Sequence, residues 1–264
     1  MITQLINDLK SLDLTQGWGQ KLFLHYQRQL RHVLPNTLPW RMESYFRDTL
    51  FFQRLAHLQQ SQAPYALGVL PADFLQTPSV VLTAHLYSYR TVVRYLAESG
   101  LKIALLVSSR VYLKQKQIFE AIIAPLADSP LQERFLLLDA ECPHVLFRAK
   151  RAFDRGFHIV AYVDGNTGTG HRDRVGDNLV PVQFGQAQLQ VRQGAVLLAQ
   201  WLQCGIYTLW PQLDNSLQSY FRWHAYDTDR TASDLIQDIY TDLYEIIRVY
   251  PAQWECFLYL EDLQ

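Results

Sequence analysis

Ser79-Val-Val-Leu-Thr-Ala-His85 is a short apolar, β-branched run that stops at a histidine. Its length and composition suit a strand buried on both faces. Four further runs share that character downstream: Lys102–Val107 (KIALLV), Phe135–Leu138 (FLLL), His158–Val163 (HIVAYV) and Gly205–Trp210 (GIYTLW). Helix-like segments separate them, at Tyr89–Ser99, Tyr112–Ala127, His144–Arg155 and Gln193–Leu202. Strand–helix alternation of this kind calls for right-handed crossovers and a largely parallel sheet. Tyr220–Tyr226 (YFRWHAY) alternates and reads as one more strand. Ser233–Tyr250 reads as a long amphipathic helix, with Asp227 or Thr231 placed to cap its start.

Upstream of Ser79 the pattern is helical. Leu5, Ile6, Leu9 and Leu12 recur at helical spacing, Leu22–Val33 continues it, and Pro35 and Pro39 break it before a third helix over residues 41–60. The expected class is therefore α/β: a mostly parallel central sheet flanked by helices, with an N-terminal helical layer. The expected organisation is a single domain over residues 1–264, with the layer at 1–75 and the α/β core at 76–264. The layer reads as a cover for the sheet. A membrane-docking surface carried by Phe46, Phe51, Phe52, Arg47 and Arg54 is the alternative.

The composition narrows the function. Hydrophobic residues make up 49% and charged residues 19% of 264, enough for a large core and against a disordered chain. A formal net charge of -1, with no dominant basic stripe, argues against nucleic acid as partner. The three cysteines, Cys142, Cys204 and Cys256, are odd in number and form no CxxC pair, so neither a disulfide framework nor a cysteine zinc site is expected. A reducing, cytoplasmic setting fits them. The N-terminus lacks the charged and apolar regions of a secretory signal, and no run of about 18 apolar residues suggests a membrane span.

Two loops follow strands and become candidate site walls: the turn after Ala84, and Gly165–Asn178 (GNTGTGHRDRVGDN). His85 at a strand end is placed to face a cleft, where a neutral imidazole can take a proton near neutral pH. The glycine-rich segment lacks the Lys-Ser/Thr of a phosphate-binding loop. His171 and Asp173 have no further spaced ligands, so no metal and no cofactor are expected.

From residue 78 onward the ordered motifs resemble the lipid A biosynthesis lauroyl/myristoyl acyltransferase family. The matching segments are His85-Leu-Tyr-Ser-Tyr-Arg90 after an apolar strand, Ile159-Val-Ala-Tyr-Val-Asp164-Gly165-Asn166, Val180-Pro-Val-Gln-Phe184-Gly185, Gln193-Gly-Ala-Val-Leu-Leu-Ala-Gln200, Cys204-Gly-Ile-Tyr-Thr-Leu-Trp-Pro211 and Tyr250-Pro-Ala-Gln-Trp254. The resemblance implies transfer of a fatty acyl group from an acyl-carrier-protein or coenzyme A thioester to a hydroxyl or amine. His85 would be the general base. Arg90, Gly165, Asn166, Phe184 and Gly185 would contact substrate. Backbone N–H groups near the start of the helix after His85 would hold the oxyanion.

One position departs from the family pattern. The acid expected five residues after the histidine is Arg90, which cannot accept a hydrogen bond from an imidazole N–H. A guanidinium there is expected to lower the His85 pKa. Three readings follow: another carboxylate orients His85, with Asp164 first; the acceptor is an amine needing less activation; or the protein binds an acyl group or a partner without catalysis. Arg90 itself suits an anion, or else a solvated helix surface. Arg94, Arg110, Lys114 and Lys116 are candidates for a basic patch facing an acidic carrier protein.

Overall fold

A computed structural model of the chain describes residues 2–62, 70–126, 130–164, 179–214, 216 and 218–259. The chain opens with three substantial helices, α1 (Ile2–Lys10), α2 (Gly17–Val33) and α3 (Pro39–Gln62), and a short α4 (Ala72–Gln76). Strand and helix then alternate: β1 (Val80–Thr83), α5 (Val92–Glu98), β2 (Ile103–Val107), α6 (Ser109–Ile123), β3 (Phe135–Asp139), α7 (Val145–Asp154) and β4 (His158–Tyr162). A hairpin of β5 (Leu179–Phe184) and β6 (Ala187–Arg192) interrupts, followed by α8 (Gly194–Leu202), β7 (Ile206–Leu213), β8 (Ser219–Tyr226) and α9 (Ala232–Val249).

Six strands make one sheet in the order β3–β2–β4–β1–β7–β8, in which only β8 runs antiparallel to its neighbour. The fold is α/β, as the apolar runs predict. All four residues of β1 are buried, as a central strand requires, and they alternate between two cores. Val81 faces α5 and α6, whose Val92, Leu96 and Phe119 join it. Val80 and Leu82 face the side where α8 and α9 lie, with Val196, Leu235 and Ile239. Side-chain caps fix two helix starts: Ser108 Oγ accepts from the Val111 N–H, and Thr231, not Asp227, caps α9 by accepting from the Asp234 N–H.

The β5–β6 hairpin is a separate two-stranded sheet that the apolar-run reading does not separate out. Its signal is period-two alternation: Val182, Phe184, Ala187, Leu189 and Val191 are buried, and the residues between them are not. Gly185 makes the turn at φ +64, and a Cβ there would stand 2.3 Å from the Tyr244 ring. Glycine is required on both counts.

The N-terminal layer contributes Leu5, Tyr26, Leu30 and Phe46 to the core that holds Val80 and Leu82. Its main neighbours are the turns at one end of the sheet: α2 packs on the 3-10 turn Glu255–Leu258, and α3 on Tyr89–Thr91 and Pro251–Gln253. Tyr26 meets Phe257 and Phe46 edge-on at 5.7 and 5.4 Å. The membrane-docking set is dispersed by this packing. Phe46 is fully buried, and Phe52 packs against Tyr87 and Tyr250. Arg47 donates to the Leu9, Lys10 and Leu12 carbonyls, closing the end of α1. No helix among the described residues is long and apolar enough to cross a membrane.

Candidate active site

The parallel register of β1 with β4 pairs Val80 with Ile159 and Thr83 with Tyr162, a constant offset of 79 residues. Continued past the strand ends, the same offset brings His85 to Asp164. The His85 backbone N–H donates to Asp164 Oδ2 at 2.8 Å, and His85 Nδ1 lies 2.8 Å from Oδ1. A carboxylate only accepts, so Nδ1 carries the proton and Nε2 is left with the lone pair of the neutral ring. The first of the three sequence readings is thus the one the geometry matches: Asp164, not the residue five after His85, holds the imidazole.

Asp164 is fully buried and receives two more donors that the sequence reading did not assign to the site. Trp254 Nε1 donates to Oδ2 at 2.8 Å, and Cys256 Sγ at 3.2 Å. Both arrive on the C-terminal segment, which is tied to the His85 turn by backbone bonds. Tyr87 N–H donates to the Gln253 carbonyl at 2.9 Å, and Glu255 N–H to the His85 carbonyl at 3.0 Å. Tyr87 itself sits at φ +38, a strained conformation for a side chain of its size, held by these contacts.

Burial alone pushes the His85 pKa down. The Asp164 charge and hydrogen bond outweigh burial, with Glu255 helping and Arg90 opposing, so the imidazole titrates above its usual value. The lowering expected from Arg90 is present but is overridden by the closer carboxylate. Burial likewise raises Asp164, and His85 and Trp254 outweigh it to leave the carboxyl low. Cys256 is held well above an ordinary thiol by burial and by Asp164 itself, so it stays a thiol and a donor. His85, Asp164 and Cys256 are close enough to suggest metal ligands. His85 and Cys256 each hydrogen-bond Asp164, so the trio forms a network that orients the imidazole.

His85 lines a cavity of about 910 Å³ at the carboxyl ends of the strands. Tyr89 and Tyr162 flank its ring at 4.6 and 4.8 Å. Leu106, Phe119, Val145, Leu146, Leu198 and Ile236 supply apolar walls. Arg90 lies inside, partly buried, whereas Arg110, Lys114 and Arg192 are exposed at the margin. The anticipated basic patch is split: Arg94 pairs with Glu98 and Lys116 with Glu120 on their own helices, away from the cavity.

The other expected site residues separate. Gly165, Asn166 and the rest of the segment 165–178 lie outside the described residues. Phe184 and Gly185 do not line the cavity. Phe184 is fully buried among Tyr240, Tyr244 and Trp254, where it supports the Trp254 indole from behind, and Gly185 is the hairpin turn. Most of the backbone N–H groups expected to hold an oxyanion have partners within the chain. The N–H groups of His85, Leu86, Tyr87, Tyr89 and Thr91 all donate within the chain. No protein-family model matches the chain, and no curated protein sequence matches it.

Proposed function

We propose that this protein is an acyltransferase, in keeping with the family its motifs resemble. One observation carries the reading: a histidine whose Nδ1 is held by a buried carboxylate lines a large apolar cavity with cations at its margin. His85 Nε2 takes the proton of the attacking hydroxyl or amine, Asp164 orients the ring and stabilises the imidazolium, and the thioester C–S bond breaks to release the thiol. The apolar walls suit a fatty chain. Arg110, Lys114 and Arg192 suit the phosphate of a coenzyme A or carrier-protein arm. The reading implies a cytoplasmic protein with at most peripheral membrane contact.

The test offers purified protein fatty acyl-coenzyme A and acylated carrier protein with a panel of hydroxyl and amine acceptors. Thiol release is followed in the wild type and in His85→Ala. Acceptor-dependent release that vanishes in the variant supports the proposal. Thioester binding without turnover would leave the non-catalytic acyl-binding reading in its place.

A further inference from the structure

Two opposite charges line the cavity beside His85 and do not pair with each other. Arg90 follows the dyad histidine on its own turn, and Glu255 is tied to it by the bond from its N–H to the His85 carbonyl. Each charge is pinned by a separate glutamine. Arg90 Nη1 donates to Gln115 Oε1 of α6 at 3.4 Å, and Gln53 Nε2 of α3 donates to Glu255 Oε1 at 3.0 Å. Each also keeps one buried polar atom without a hydrogen-bond partner, Arg90 Nε and Glu255 Oε2. These closed-off atoms leave each charge under-compensated, and a ligand in the cavity that both residues line can supply the missing opposite charge.

We infer that the acyl acceptor is zwitterionic: an amine with an acidic group a short spacer away, of the amino acid or aminoalkyl phosphate class. The inference rests on the acyl-transfer reading and narrows its acceptor. Glu255 takes the ammonium and Arg90 the carboxylate or phosphate. The ammonium releases one proton to solvent through Glu255. The freed nitrogen attacks the thioester carbonyl and gives its second proton to His85 Nε2. The C–N bond forms, the C–S bond breaks, and the thiolate leaves with the proton from His85. Thioester and ammonium become amide, thiol and one proton.

The probes are O-phosphoethanolamine and glycine as zwitterions, ethanolamine as the cation alone, and inorganic phosphate and acetate as the anions alone. Binding to the full chain is read by calorimetry, independently of turnover. Zwitterions are expected to bind roughly tenfold or more tighter than single-charge probes. The better of the two zwitterions distinguishes phosphate from carboxylate. Glu255→Gln, which keeps the side chain's shape, should erase the advantage over the anions, and Arg90→Gln the advantage over ethanolamine. Equal binding of single-charge probes, no binding by any probe, or an unchanged preference in correctly folded Glu255→Gln overturns the inference. Zwitterion binding without thiol release retains this acceptor site and refutes acyl transfer. Thiol release with simple alcohols and no zwitterion preference does the reverse.

Discussion

The two ends of the β1–β4 pair carry the same register and opposite chemistry. At one end Ser79 Oγ lies 3.0 Å from His158 Nδ1, and at the other His85 meets Asp164, both pairs 79 residues apart. Among the described residues the His158 ring has a hydroxyl partner and the Phe74 ring beside it, and burial pushes its pKa down to about 4. His85 has a buried carboxylate, and its pKa moves up. The strands deliver an imidazole at each end, and the partner decides which way its pKa moves. The carboxyl end is also where the crossovers leave an open crevice.

The largest expected effect tests that division. His85→Ala should lower acyl transfer roughly a hundredfold or more with little change in the thermal melt, whereas His158→Phe should leave transfer near wild type. Loss of activity in His158→Phe with an unchanged melt would dissolve the distinction between the ends.

The pH dependence of stability should separate the two histidines next. The folded-state pKa of His158 lies below its unfolded value of 6.5. Its neutral form is therefore fully compatible with the fold above pH 6.5, and stability is lost as pH falls from there toward 4. The loss amounts to about 3 kcal/mol at the lower limit. His85 is raised, so its contribution is fully present below pH 6.5 and fades as pH rises through its folded-state value. Chemical denaturation across pH 4–8 should show the acid-side slope reduced in His158→Phe and the alkaline-side slope reduced in His85→Ala. An unchanged acid-side slope in the first variant would contradict the assignment.

A smaller effect concerns the support behind the dyad. Trp254→Phe keeps most of the packing against Phe184 and Phe257 but removes the indole donor to Asp164. A hydrogen bond to a buried charge contributes about 1.5–3 kcal/mol, so the fold should lose about that much stability. With less charge drawn off the carboxylate, the acidic limb of the kcat/KM profile should move to higher pH. A loss of stability with no movement of that limb would mark Trp254 as packing alone. The smallest effect is at the quiet end: Ser79→Ala should cost about 1 kcal/mol in denaturant melts and nothing in transfer.

Much of this was readable before the fold. The strands showed because β1, β2 and β4 are buried on both faces, which forces continuous apolar runs. The pair showed because His85 and Asp164 each end such a run, so parallel pairing of β1 with β4 brings them together. The support of Asp164 did not show. Trp254 and Cys256 approach it across 90 and 92 residues, on a segment with no period and no motif for hydrogen bonding a carboxylate. Arg90 was read as the anomaly because its position was compared with an acid. Its setting depends on Gln115 and Glu255, which tertiary packing alone brings near. The tie from Arg47 to the end of α1 was hidden for a similar reason: an arginine on a helix looks solvated until another helix ends beneath it.

The strap between the His85 turn and Trp254 also sets an order in time. On a ribosome, β1 and β4 emerge long before residue 254, so His85 and Asp164 can meet while the indole and thiol donors are still unmade. Until they arrive, the nascent chain holds a carboxylate short of two partners and a Tyr87 turn without its Gln253 anchor. The His85–Asp164 pair therefore stays without its full support through most of synthesis, and completion of that support coincides with closure of the 3-10 turns over the sheet end. A nascent chain stalled short of this strap would hold the strands that carry His85 and Asp164 but not the donors that settle their charge.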